Sequence, residues 1–206
     1  MSSYPPGRIE VLVIDDDPVT RAEFGNAVRR DHGLQLVGAL ASSQEAVEHL
    51  ALRAPSVLIV GLGPSFAHGL DVIRFTANQW PECAISVISM FGDESDVLAG
   101  VEAGATGFIL KDSTHAEIAA HIRALHAGCS PISPLIAHAL LRRSDPDGEA
   151  TAPAARLRLP DGHRQALRDI ARGYSYADLA TRTNSAEPAI ARRINEIYRM
   201  SRTGRE

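Results

Sequence analysis

Sulfur and aromatic residues are scarce in this 206-residue sequence: two cysteines, three methionines, one tryptophan, and 5% aromatic residues. Cys83 and Cys129 have neither CxxC spacing nor histidines at ligand intervals. They read as reduced thiols of a cytoplasmic protein, not as a disulfide framework or a zinc site. No apolar run approaches the roughly 20 residues that span a bilayer, so no membrane association is expected. The opening MSSYPPGRIE lacks a basic region followed by an apolar core and does not read as a secretion signal. There is no P-loop, no GxGxxG and no Ser/His/Asp arrangement. His115, His121 and His126 share one helical stretch without the i, i+4 spacing of a metal pair. An enzyme is therefore not expected.

What is present is core material. Hydrophobic residues make up 45% of the chain and charged residues only 22%, which argues for a sizeable buried core and against wholesale disorder. The length suits two small domains, or one domain with an appendage. Charge is unevenly divided. Residues 151–206 carry 11 arginines, no lysine and six acidic side chains, against a net acidic remainder. A basic tail piece on an acidic body points to nucleic-acid contact at the C-terminal end.

Apolar runs at 9–14, 34–38, 57–60, 84–88 and 107–110 recur at intervals of about 25 residues, with helical spacing between them. Val47 with Leu50, Val97 with Val101, and Ile118 with Ile122 and Leu125 each mark one face of a predicted helix. Helix starts are signalled by Asp17-Pro18, by Ser42-Ser43 before Gln44, and by Ser113-Thr114 before Glu117. Strand and helix alternating with short joins predict an α/β fold with a doubly wound five-stranded parallel sheet.

In such a sheet, chemistry gathers at the carboxyl ends of the strands. There the sequence places Asp15, Asp16 and Asp17 after the first strand, Gly61 after the third, Ser89 at the end of the fourth and Lys111 after the fifth. Carboxylates, a hydroxyl and an ammonium group suit a divalent cation and a phosphoryl group. Taken singly, an aspartate after a strand reads as a helix cap, and a lysine as a solvated charge. Convergence on one edge is what gives the set meaning.

VLVIDDDPVTR, GL…GL at 61–70, VISM and AGATGFILKD together resemble the receiver domain of bacterial response regulators of the NarL/FixJ type, over residues 8–128. The resemblance implies a flavodoxin-like receiver in which Asp15 and Asp16 help bind magnesium while Ser89 and Lys111 read the phosphoryl group. It also implies a phosphoacceptor aspartate at the end of the third strand, where this chain has Gly61. The loop departs as well. Pro64 falls one position early against the family's DxxMP, and Ser65, Phe66 and Ala67 replace the usual residues. Glycine has no carboxylate, so aspartyl phosphorylation at position 61 is chemically impossible. Magnesium loses a ligand and is expected to bind weakly or not at all. Rescue would fall to Asp17 or Asp71. Two readings of the survivors stand side by side: a retained ligand site, or Lys111 paired with Asp15 or Asp16 to hold the sheet edge together.

Beyond 128 the sequence reads as a linker with a short helix (129–155): Ser133-Pro134 opens the helix, and the small, acidic SDPDGEATAPAA follows. Residues 156–206 show three helical patterns, with Gly173 as a C-cap after the first. In the last pattern Ile190, Ile194 and Ile197 form a stripe that leaves arginines on the other faces. LPDGHRQALRDIARGYSYADLATRTNSAEPAIARRI resembles a LuxR-type helix-turn-helix domain. That resemblance puts Ala191, Arg192 and Asn195 at base-contacting positions and Arg193 at a phosphate contact, with Arg199 beside it. Ala191 stands where a lysine is usual, and the chain ends at SRTGRE before the family's fourth, dimerising helix. The expectation is an atypical response regulator that binds promoter DNA without phosphorylation and pairs as a homodimer through its receiver. The alternatives are an interaction module that sequesters a kinase or another regulator, and a regulator switched by a small ligand beside Gly61.

Overall fold

The structure, a computed structural model, describes residues 7–62, 69–89, 94–130, 132–144 and 157–203. Five parallel strands, β1 (Ile9–Ile14), β2 (Leu34–Leu40), β3 (Val57–Gly61), β4 (Ala84–Ser89) and β5 (Gly107–Leu110), form one sheet in the order β2-β1-β3-β4-β5. Between and after them lie α1 (Pro18–Arg30), α2 (Ser43–Leu52), α3 (Gly69–Gln79), α4 (Glu94–Ala103) and α5 (His115–His126). This is the doubly wound sheet expected. β2 runs two residues beyond the predicted run, and a register shift between Val11 and Leu12 leaves Val37 unpaired opposite β1.

Every residue of β3 is buried, because helices cover both faces of the sheet. Val11, Val13, Val57, Ile59, Ile88 and Ile109 pack under α1 and α5, where Ile118, Ile122 and Leu125 supply the expected stripe. Leu12, Ile14, Leu58, Val60, Ile85 and Val87 point the other way, toward α2 and α3. In α2 the buried pair is Ala46 and Leu50. Val47 is 37% exposed, so the stripe is set by i, i+4 spacing rather than by the larger side chain. The side chain of Val97, on α4, and the loop at 63–68, including Pro64, Ser65, Phe66 and Ala67, fall outside what the structure describes.

Caps fix the helix ends as the sequence signals suggest. Asp17 accepts from the amides of Val19 and Thr20, with Pro18 opening α1. Thr114 and Glu117 form a capping box at α5. Gly128, at φ +75°, ends that segment in the left-handed region that glycine tolerates.

The C-terminal part contains α6 (Pro134–Ser144), α7 (Asp161–Ala171), α8 (Tyr176–Thr183) and α9 (Glu187–Thr203). Ser175 and Asp178 box the start of α8, and Asn184, at φ 48°, ends it before the turn into α9. Ile190, Ile194 and Ile197 are fully buried against Leu167, Ile170 and Leu179. That core does not stop at the C-terminal helices. Ile136 and Leu140 of α6 and Val101 of α4 belong to it, with Leu98 and Phe108 packed alongside. A Glu102–Arg143 ion pair also joins α4 to α6. Residues 145–156 lie outside the described set. No described helix is long and apolar enough to cross a membrane.

Candidate functional site

The parallel register brings the predicted sheet-edge residues together. β1 delivers Asp15, β3 ends at Gly61 opposite Ile88, and Ser89 pairs in register with Leu110, the residue before Lys111. The side chain of Ser89 lies outside the described set. Lys111, the chain's only lysine, reaches back across the edge to Asp15. Its Nζ donates to Asp15 Oδ1 at 3.4 Å and stands 3.3 Å from Oδ2, off the direction of a hydrogen bond. The backbone N–H of Asp17 also donates to Oδ1, at 2.9 Å. Oδ2 has no hydrogen-bond partner among the described residues. The Arg21 guanidinium holds the backbone here, donating to the carbonyls of Asp15 (2.7 Å) and Asp16 (3.3 Å).

Asp15 is 1% exposed, and burial raises its carboxyl above the ordinary range against the opposing pull of the Asp17 amide and Lys111. Asp17 behaves oppositely. Hydrogen bonds from Thr20 and Val19 lower it, because its carboxylate caps α1. Asp71 is exposed and paired with Arg74 at 2.9 Å. Asp17 is thus engaged in capping α1, and Asp71 lies on the exposed side of α3.

Gly61 marks the main departure from a vacated site. A Cβ built on it would lie 2.0 Å from Asp15 Oδ2 and 2.6 Å from Asp15 Cγ. The position that a Cβ at 61 would take is filled by the carboxylate of Asp15. The donor set does not fit magnesium. An octahedral cation needs several oxygens turned outward, whereas Asp15 turns inward to Lys111 and position 61 supplies none. Among the described residues no three His, Cys, Asp or Glu side chains gather as a metal-binding group.

The second candidate surface is α9. Arg192 and Arg199 are exposed, Arg193 is half-buried, and the side chain of Ala191 is 3% exposed within the helical core. Asn195 faces the segment after α5. Its amide nitrogen donates to the Gly128 carbonyl, and Ser130 Oγ donates to its side-chain oxygen. Tyr176 OH donates to the Ser130 carbonyl at 2.6 Å, and burial raises that phenol above its ordinary range. Tyr198, fully buried beside this clamp, has no partner for its hydroxyl among the described residues. The residues expected to read DNA are thus split: Arg192 faces outward, and Asn195 is used inside the molecule.

Several contacts have no counterpart in the sequence reading. His121 lies between α5 and β4 with Nε2 2.8 Å from Ser86 Oγ, and burial lowers it to about 4. Gly107 makes this possible, since a Cβ there would lie 2.6 Å from Leu125 and 3.3 Å from His121 Nε2. The Arg21 clamp was equally unmarked. Lys111 carried one usable signal, since a chain with twenty arginines has a single lysine at a strand end.

Comparison with known proteins bears on the sheet edge first. Residues 11–123 match the family described as "Response regulator receiver domain". A nitrate/nitrite response regulator protein homolog of Haemophilus influenzae is 25% identical over 93% of this chain and 89% of its own length. The DNA-binding transcriptional activator DevR/DosR of Mycobacterium tuberculosis is 23% identical over 92% of this chain and 86% of its own. Among solved structures, the response regulator ChrA of a heme-sensing two-component system aligns with a TM-score of 0.53 and 25% identity, covering 97% of this chain and 92% of that one.

Proposed function

The chain belongs to the response-regulator receiver family, and from that premise we propose that it controls transcription by binding DNA without aspartyl phosphorylation. One observation carries the second half of this reading: position 61 has no carboxylate, and Asp15 stands in its space. The DNA-binding half is supported by the relatives, which include a named DNA-binding activator, and by α9. That helix buries Ile190, Ile194 and Ile197 while exposing Arg192. Arg192 and Asn195 read base edges in the major groove, with Arg193 and Arg199 on phosphates. For Asn195 to reach a base it must first leave Gly128 and Ser130. Ala191 adds no charge at its position. The receiver covers residues 1–128 and the DNA-binding unit 156–206, and the protein pairs as a homodimer through receiver helices. Pairing falls to the helices at 93–126, and because α4 is packed against α6 and α9, α5 is the part of that surface left for it.

The test is genome-wide DNA capture with the full-length protein and with a truncation after Ala150. Specific peaks that vanish with the truncation are the expected result. Intact mass after incubation with acetyl phosphate and magnesium is expected to show no covalent addition. A phosphorylated chain would refute independence from phosphate.

The engaged Asn195 favours a second reading, in which the protein acts by holding a kinase or another regulator. Under that reading DNA binding is weak, salt-labile and indifferent to sequence. A gel-shift series across salt concentrations separates the two.

A further inference from the structure

We infer that Asp15 and Gly61 form an interlock that seals the sheet edge, leaving it closed to both a phosphoryl group and a divalent cation. The inference builds on the phosphorylation-independent reading above and gives it a physical cause. Cβ atoms essentially never lie within 3.0 Å of a non-neighbouring heavy atom, and a Cβ at position 61 would lie 2.0 Å from Asp15 Oδ2. A side chain at 61 can therefore be accommodated only if Asp15 moves.

Asp15 in turn has little freedom to move away. Its amide donates to the Leu40 carbonyl at 3.2 Å, and its own carbonyl is held by Arg21 at 2.7 Å. Oδ1 takes the Asp17 amide and the Lys111 ammonium. A buried carboxylate with no counter-charge is costly, and here the lysine supplies the positive charge that a cation would otherwise bring. Lys111 is itself only 16% exposed, so the pair is shielded together. Oδ2, turned into the gap beside Gly61, is left without a hydrogen bond. Filling that gap offsets the loss by removing a void from a packed edge.

The interlock has a signature that a merely lost acceptor lacks: substitutions at 15 and 61 are coupled. Thermal unfolding of wild type, G61A, D15A and the double variant reads the coupling directly. G61A alone is expected to lower Tm by roughly 5 °C, because the methyl group displaces Asp15 from its lysine. In the D15A background the same change should be nearly neutral. Equal Tm losses in both backgrounds, or a G61A variant as stable as wild type, would overturn the inference. If G61A does not fold, the D15A/G61A protein is still expected to fold, and its failure counts against the interlock.

A magnesium chloride titration of the wild-type protein, followed by isothermal titration calorimetry and Tm, is expected to show no saturable response; a saturable one overturns the sealed edge. The two readings fail separately. Covalent phosphate elsewhere on the chain would refute the functional reading and leave the coupling intact, whereas additive Tm losses would do the reverse.

Discussion

At the scale of single residues, polar side chains at the sheet edge and inside it are used for packing. His121 is the clearest case. It sits neutral under the sheet, held at about 4 by burial, with Ser86 Oγ 2.8 Å from its Nε2. An unfolded histidine titrates near 6.5, so between that value and about 4 the unfolded chain binds the extra proton. Stability from this group is complete above about pH 6.5 and falls as pH drops toward 4, by up to about 3 kcal/mol. Urea denaturation at pH 7 and pH 5 should show about 2 kcal/mol of that loss, and His121→Phe, which cannot titrate, should flatten it. The sequence marked His121 as one of three unremarkable histidines on a helix. Its environment depends on Ser86, 35 residues away, and on the absence of a side chain at Gly107. No local pattern encodes that. The orientation of Asp15 was hidden for a related reason. The aspartates and Gly61 were legible as strand-end residues, but where a carboxylate turns depends on what its neighbour across the sheet leaves empty.

At the scale of elements, strands and helices were largely legible, because burial on both faces writes continuous apolar runs and caps write their own short signals. Ser175 illustrates the second kind. Its side chain accepts from the Asp178 amide while the Asp178 carboxylate accepts from the Ser175 amide, and this fixes where the chain leaving α7 enters α8. Ser175→Ala should cost about 1 kcal/mol, measurable in denaturant, and speed amide exchange in the first turn of α8. What remained illegible was the use of α9. The motif position of Asn195 implies a base contact, yet its partners are Ser130 and Gly128, 65 and 67 residues back along the chain. Removing the amide should release the helix from that segment. Asn195→Ala is expected to accelerate hydrogen exchange at residues 128–130 and along α9 while leaving the sheet protected. If exchange at 128–130 is unchanged, the clamp contributes nothing to docking.

At the scale of the whole molecule, the receiver and the C-terminal helices share apolar packing. Val101, on α4, is 1% exposed and lies in one cluster with Ile136, Ile190 and Tyr198. Covalent continuity through 145–156 is then not what keeps the two parts side by side. A specific protease site placed in that stretch and cut should leave both fragments eluting as one species on size exclusion; two separate peaks would show that the shared core is too weak to hold them. The same feature limits how freely this protein can be treated as a kit of parts. Along the sequence it divides into a signalling half and a DNA-binding half that look exchangeable with those of any relative. A chimera carrying a foreign receiver would meet α6 and α9 with the wrong helix face, leaving an apolar seam open to water. Recombination that keeps α4 together with the C-terminal helices should yield soluble hybrids, while a crossover between them should yield aggregates.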